Sequence, residues 1–125
     1  MNIKSSKELV DKANELIKVM SPEQVKNAYD KGEVTLIDVR DIRELWKEGT
    51  IKDSIHIPRG MLEFWLDPNS PYSKDIDQNK GIVLFCAGGL RSALAAKSLK
   101  EMGFENVSHI DGGFASMKAN GFKID

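Results

Sequence analysis

Cysteine is nearly absent from this sequence: Cys86 is the only one among 125 residues. A single thiol cannot form a disulfide within the chain, which excludes the class of small domains held together by disulfides. A lone cysteine also suits a reducing compartment, in which thiols stay free. Cys86 is therefore a candidate nucleophile, and its neighbours in the sequence decide how it is interpreted.

The sequence also lacks an excess of charge of either sign and any long apolar run. The 18 Lys and Arg residues nearly balance the 19 Asp and Glu residues, and the net charge is −1. This balance predicts no nucleic-acid partner and no membrane-surface partner. The start of the chain shows neither the apolar core of a signal peptide nor a membrane-spanning stretch. We therefore expect a cytoplasmic protein.

Histidine is scarce as well, with only His56 and His109. These two residues and Cys86 are too scattered to match any ligand spacing typical of a metal site, so no metal is predicted. Either histidine could serve as a general base. A thiolate that its own loop already ionises needs no base, however, and structural roles are favoured for both.

What the chain does contain is an alternation of strand and helix patterns within the length of one domain. Strands are predicted at 34–39, 54–57, 82–85 and 107–110, and helices at 7–20, 22–31, 41–48, 91–102 and after Gly112-Gly113. A short apolar turn or helix at 61–66 and a polar loop at 67–81 complete the pattern. Strands that alternate with helices predict a parallel α/β sheet covered on both faces.

The segment after strand 82–85 has the features of a reactive-thiol loop. Cys86 follows the strand directly, and the next residues are Ala87-Gly88-Gly89-Leu90-Arg91-Ser92. Adjacent glycines let successive N–H groups turn inward as an anion-binding nest, and a helix N-terminus and Arg91 add positive charge. This combination predicts a lowered pKa for the Cys86 thiol. The alternative is a small hydrophobic residue at the end of a buried strand, which would need neither the glycine pair nor the arginine.

Three separated motifs, spread over about residues 20 to 121, make the chain resemble the rhodanese family. The first is Asp38-Val39-Arg40, with Glu44-Leu45, Gly49-Thr50-Ile51 and Ser54-Ile55-His56-Ile57-Pro58 after it; Thr50 replaces the family's usual histidine. The second is the Cys86 loop, similar to the family's Cys-x-x-Gly-x-Arg-Ser form. The third is Gly103-Phe104, Asn106-Val107 and Asp111-Gly112-Gly113-Phe114, with Met117 where tryptophan is common.

The resemblance implies a single rhodanese-like domain over 20–125, with a five-stranded parallel sheet and helices on both faces. Residues 1–19 would form an amphipathic helix that packs on the domain or extends it. This helix either covers the domain's own core or offers a docking surface to a partner or a second copy.

The resemblance also implies a sulfurtransferase without a cofactor. Cys86 would attack a small anionic sulfur donor, thiosulfate or a persulfide, and keep one sulfur atom as a persulfide. The N–H groups of residues 87–92 would bind the substrate and the persulfide charge. Because the chain has no second cysteine, the sulfur must pass to an outside acceptor: cyanide, a small thiol or a protein cysteine.

Two other functions stay open. Phosphatases and arsenate reductases of related fold also place a cysteine and an arginine around an anion, but their loop is one residue longer than this one. A sulfur carrier or a protein-binding module without significant thiosulfate turnover would have the same sequence features.

Several residues have two interpretations each. Asp38 and Arg40 either touch the substrate or form an ion pair that braces the site, and the brace is favoured. Arg59 either lines the mouth of the pocket and binds substrate or is an ordinary solvated side chain. The aromatic residues Trp46, Phe64 and Trp65 either form a rim for an acceptor or pack in the core.

Overall fold

Strands and helices alternate along the whole chain. A computed structural model describes residues 1–125. The strands are β1 (Lys18–Met20), β2 (Val34–Asp38), β3 (Ile55–His56), β4 (Gly81–Phe85) and β5 (Val107–Ile110). The helices are α1 (Ser6–Leu16), α2 (Pro22–Asp30), α3 (Ile42–Glu48), α4 (Leu62–Leu66), α5 (Leu90–Met102) and α6 (Gly113–Ala119), and a 3-10 turn spans Arg59–Met61.

The five strands form one parallel sheet in the order β1-β5-β4-β2-β3. Strand β4 is central, and all five of its residues are buried. Asp38, at the end of β2, pairs in register with Phe85, at the end of β4. The carboxyl ends of these strands therefore meet at one edge of the sheet, and the prediction of a five-stranded parallel α/β sheet is confirmed.

Helices cover both faces of this sheet, and each face has its own apolar cluster. The cluster on one face joins the strands to α1, α4 and α5, and the cluster on the other joins them to α2 and α6. Side chains alternate along β4, so Leu84 and Cys86 belong to the first cluster whereas Val83 and Phe85 belong to the second. This alternation directs Cys86 to the face that carries α1 and α5.

The N-terminal helix is shorter than the sequence pattern predicts. The predicted helix over 7–20 ends at Leu16, and residues 18–20 form β1, in which Val19 pairs with His109 of β5. The prediction was wrong here because a three-residue strand is too short to show its own periodicity. A capping box at Ser21 starts α2 immediately afterwards, which leaves only this short segment between the two helices.

Helix α1 packs against α5 and contributes to the protein's own core. Its buried residues Val10 and Ala13 lie in the same cluster as Ala96 and Leu99 of α5. The ammonium of Lys100 also donates to the carbonyl of Leu16 at 2.9 Å. A boundary drawn between residues 19 and 20 would fall inside β1. None of the helices combines the length and the apolar character needed to cross a membrane.

Candidate active site

Cys86 lies in a cradle of backbone N–H groups between β4 and α5. The residue is only 1% exposed. Its Sγ accepts from the N–H of Gly89 at 3.1 Å and from the N–H of Ser92 at 3.4 Å. Gly89 is the N-cap of α5 and has φ of 107°, in the left-handed region that favours glycine. This conformation turns the loop so that its amides converge on the sulfur.

The cradle changes the acidity of the thiol. Burial raises the pKa of Cys86, but the hydrogen bond with the Ser92 hydroxyl and the hydrogen bonds from the N–H groups of Ser92, Gly89 and Gly88 outweigh it. The net effect lowers the pKa of the Cys86 thiol from its ordinary value of 9.0. The fraction of Cys86 that is thiolate at neutral pH is therefore larger than that of a free cysteine.

The start of α6 holds the Cys86 loop from the side. The N–H of Phe114 donates to the carbonyl of Cys86 at 2.7 Å, and the N–H of Ala115 donates to the carbonyl of Ala87 at 3.4 Å. Gly113 lies so close that a Cβ there would stand 2.5 Å from the Cys86 carbonyl oxygen. The third motif of the sequence is thus a support for the second.

Arg91 stands beside the loop and is held by a glutamate from another helix. Its guanidinium pairs with both carboxylate oxygens of Glu44 on α3, at 2.7 and 2.9 Å. This hydrogen bond to Glu44, and to a smaller extent the charge of Cys86, raises the pKa of Arg91. In the sequence Glu44 belongs only to the first motif, and its spacing from Arg91 predicts no contact.

Asp38 and Arg40 form a buried ion pair next to this site. Arg40 Nη2 lies 2.8 Å from Asp38 Oδ2, and both side chains are almost completely buried. Arg40 also donates to the carbonyl of Gly49 at 2.7 Å, while the hydroxyl of Thr50 donates to Asp38 at 2.7 Å. Thr50, which replaces the family's usual histidine, therefore completes the hydrogen bonding of Asp38. The guanidinium of Arg40 lies 4.0 Å from the ring centroid of Phe114, which connects the pair to the support of the loop.

Arg59 is not brought together with Cys86. Its guanidinium pairs with Glu63 at 2.9 Å. The groove that Arg59 lines is formed with residues of α1 and α5, and none of residues 86–92 contributes to it. Pro58 precedes a 3-10 turn at Arg59–Met61, and the N–H of Arg59 donates to the carbonyl of Val39 at 3.0 Å.

The predicted aromatic rim is divided between surface and core. Trp46 is 76% exposed and Phe64 is 56% exposed. Trp65 instead packs against the first apolar cluster, with the ammonium of Lys74 lying 4.6 Å from its ring centroid. Trp46 and Phe64 are thus exposed, whereas Trp65 is half-buried.

The two histidines differ in their relation to the site. His56 Nε2 lies 2.7 Å from the carbonyl oxygen of Arg40. His109 Nδ1 lies 2.9 Å from the hydroxyl of Ser92, which in turn lies 3.5 Å from Cys86 Sγ. On its other side, His109 Nε2 lies 2.8 Å from Oδ1 of Asn14 on α1. Sequence reasoning found no signal for this link, because it depends on how α1 packs.

The fold and this geometry define a class: α/β proteins that hold a buried cysteine of lowered pKa in an amide cradle at the carboxyl edge of a parallel sheet. Comparison with known families identifies one family within this class. The model of the rhodanese-like domain matches residues 21–120, and the chain belongs to that family.

Curated relatives include proteins of two kinds. The thiosulfate sulfurtransferase GlpE of Coxiella burnetii is 30% identical over 90 residues, which are 72% of this chain and 77% of that protein. The tRNA uridine(34) hydroxylase of Photorhabdus laumondii is 29% identical over 94 residues. That match includes 75% of this chain but 26% of the hydroxylase. The chain therefore spans about a quarter of the hydroxylase and about three quarters of the sulfurtransferase.

Solved structures share the fold at high similarity. A protein of unknown function from Rhodopseudomonas palustris, described as a possible tyrosine phosphatase, is 42% identical with a TM-score of 0.93. That match covers 100% of this chain and 97% of the other. The polysulfide-sulfur transferase homodimer of Wolinella succinogenes is 32% identical with a TM-score of 0.76, over 95% of this chain and 85% of the other.

Proposed function

We propose that the protein is a sulfurtransferase that moves sulfane sulfur through a persulfide on Cys86. The observation that carries the proposal is the cradle itself, in which the N–H groups of Gly89 and Ser92 point at a buried sulfur. The sulfurtransferase relatives support it. The donor is thiosulfate or a persulfide, and the acceptor is cyanide, a small thiol or a protein cysteine.

Each half of the reaction balances without a cofactor. The Cys86 thiolate attacks the outer sulfur of thiosulfate, a new S–S bond forms, and sulfite leaves with the electron pair of the bond that breaks. An acceptor thiolate or cyanide then attacks the outer sulfur of the persulfide, and the Cys86 thiolate leaves. The preorganised amides of the loop stabilise the anionic sulfur in both steps.

Arg91 supplies positive charge without being free to enclose a substrate. Because both of its donor nitrogens on one edge are bonded to Glu44, its position beside Cys86 is fixed. We propose that it attracts the anionic donor towards the loop. Residues 87–92 bind the donor, and Asp38 and Arg40 brace the edge from which the loop starts.

Phosphoryl transfer is the competing activity, since the R. palustris protein is described as a possible tyrosine phosphatase. Only four residues, Ala87 to Leu90, separate Cys86 from Arg91 in this chain. A ring of amides this small fits one sulfur atom better than a tetrahedral phosphate. The guanidinium of Arg91 is also already bound to both carboxylate oxygens of Glu44, so it is not free to bind a phosphate in the same bidentate way. Sulfur transfer is therefore favoured over phosphatase activity.

The test is intact mass spectrometry after incubation with thiosulfate, followed by cyanide. We expect wild type to gain one sulfur atom, to lose it to cyanide and to release thiocyanate, whereas Cys86→Ser gains none. The same two proteins are also assayed with an aryl phosphate.

The other outcomes discriminate between the alternatives. A gain of sulfur from a protein persulfide but not from thiosulfate indicates a carrier that serves a protein partner. Hydrolysis of the aryl phosphate that depends on Cys86, without any gain of sulfur, would replace the proposed function with a phosphatase.

A further inference from the structure

A continuous row of hydrogen-bonding side chains runs from the reactive sulfur to the N-terminal helix. It begins at Cys86 Sγ and passes through Ser92 Oγ, His109 Nδ1 and His109 Nε2 to Asn14 Oδ1. Ser92 is completely buried and His109 is 3% exposed. The interior of this row is therefore shielded from water.

The chemistry of the last member sets the direction of the whole row. Oδ1 of Asn14 can only accept, so His109 Nε2 carries a hydrogen and donates it. In the neutral imidazole, Nδ1 is then the acceptor and receives the hydroxyl hydrogen of Ser92. The Ser92 oxygen is left to accept from the Cys86 thiol. Each group thus donates to the next, in one direction.

We propose that Ser92, His109 and Asn14 form a proton relay that takes the proton of the Cys86 thiol. The S–H bond breaks and an O–H bond forms at Ser92, while the original Ser92 proton moves to His109 Nδ1. The products are a Cys86 thiolate that accepts from the Ser92 hydroxyl and an imidazolium that donates to Ser92 and Asn14. No proton or electron is lost, and every hydrogen bond of the row is retained.

In this relay His109 and Asn14 are positioning residues, because they act on the sulfur through Ser92. Asn14 holds His109 in the one tautomer whose Nδ1 can receive a proton. Asn14 lies in α1, outside the residues 21–120 that the family model matches. The relay thus gives the N-terminal helix a role at the active site in addition to its packing on α5.

The surroundings of His109 allow its ring to gain and to lose a proton. Burial lowers the pKa of His109, so the neutral ring is the resting form, while the charge of Asp111 favours the imidazolium that the transfer produces. Its polar contacts, Ser92 from α5 and Asn14 from α1, do not titrate. Its strand neighbours in register are Val19 and Leu84, which carry no charge.

The relay is tested by titrating Cys86. Its use in sulfur transfer rests on the proposed function, but the proton transfer itself does not. Because Cys86 is the only cysteine, thiolate absorbance in the ultraviolet and the rate of alkylation by iodoacetamide both report on it alone. Both are measured against pH. His109→Asn keeps an acceptor near Nδ1 but cannot take a proton. We expect its midpoint to move to higher pH, with alkylation about tenfold slower at neutral pH.

Asn14 offers variants with opposite expectations at an exposed position. Asn14→Leu removes the acceptor and should move the midpoint to higher pH, whereas Asn14→Asp stabilises the imidazolium and should move it to lower pH. Glu15→Ala, on the same exposed part of α1, is the matched control and should change nothing. In a Ser92→Ala background the Asn14 variants should have no further effect, because the row is already broken.

Two results would overturn the relay. One is an unchanged midpoint in both Asn14 variants. The other is a shift that persists in the Ser92→Ala background, since the effect would then reach Cys86 by another route. Sulfur uptake from thiosulfate and from a persulfide donor, measured on the same variants, separates the two proposals. Shifts without uptake refute the proposed function alone, and uptake without shifts refutes the relay alone.

Discussion

Gly113 shows how one residue without a side chain supports the Cys86 loop. Its φ of 59° lies in the left-handed region, and a Cβ would stand 2.5 Å from the carbonyl oxygen of Cys86 and 2.7 Å from that of Ala87. Both conditions call for glycine. The close approach lets the N–H of Phe114 donate to the carbonyl of Cys86 and so fixes the position of that carbonyl.

We predict that Gly113→Ala lowers the free energy of unfolding by roughly 2–4 kcal/mol, through backbone strain and forced displacement of the loop. Sulfur uptake should also fall, since the amides that cradle Cys86 would move. Gly121→Ala is the matched control, because Gly121 has φ of 83° but nothing near its missing Cβ. That variant should show strain only, roughly 1–2 kcal/mol, and normal uptake. Urea denaturation and intact mass measure the two effects, and equal losses in the two variants would contradict the prediction.

At the scale of elements, α3 and α5 are tied together across the site. Glu44 closes the capping box of α3 by accepting from the N–H of Asp41, and the same carboxylate binds Arg91 at the start of α5. The hydrogen bond to Arg91 lowers the pKa of Glu44, although burial opposes it, so the pair stays charged at neutral pH. Glu44 therefore caps the start of α3 and also holds the positively charged Arg91 next to Cys86.

We predict that Glu44→Gln strengthens the attraction of the site for anions at little cost in stability. Glutamine also fits a capping box, and the ion pair is partly exposed, so the free energy of unfolding should fall by less than about 1 kcal/mol. Removing the carboxylate leaves the charge of Arg91 uncompensated. The KM for thiosulfate should then decrease, and the decrease should shrink as salt is added. Glu48→Gln, on the same helix without a contact to Arg91, is the control. A higher KM in Glu44→Gln would show that position, not charge, is what Glu44 provides.

At the scale of the whole molecule, the parallel sheet gathers three distant turns at one edge. Arg40 follows β2, Cys86 follows β4, and Gly113 follows β5. The ring of Phe114 contacts Arg40 while its N–H binds Cys86, so all three turns share one support. The buried pair of Arg40 with Asp38 anchors this edge to the core.

We predict that Arg40→Met destabilises the whole fold by roughly 3–5 kcal/mol, because it leaves the carboxylate of Asp38 buried without its partner. Arg43→Met is the matched control, since Arg43 pairs with Asp41 at the same spacing but on the surface. That variant should unfold like wild type. Urea denaturation of both variants makes the comparison, and similar midpoints would show that Asp38 finds other partners when Arg40 is removed.

The sequence predicted much of this arrangement but not the contacts between distant segments. The apolar run before Cys86 and the glycines after it predicted a strand, a cradle and a lowered thiol pKa, since these depend on neighbours along the chain. Which of its two interpretations Arg59 follows could not be predicted, because its pairing with Glu63 depends on the 3-10 turn and helix that follow Pro58. The contact of Glu44 with Arg91 and the link of Asn14 to His109 join segments far apart in sequence, where periodicity carries no information.

The local order of residues thus determined the alternation of strands and helices and the place of Cys86 at the end of a strand, and its motifs identified the family to which the chain belongs. Short-range hydrogen bonding and the burial of apolar stripes are enough for these features. Only the tertiary structure decided that residues 18–20 form an edge strand, that Gly113 supports Cys86 and that α1 is linked to Cys86 through Asn14, His109 and Ser92. These depend on the packing of segments that the chain does not place side by side, and packing distances are a property of the folded molecule.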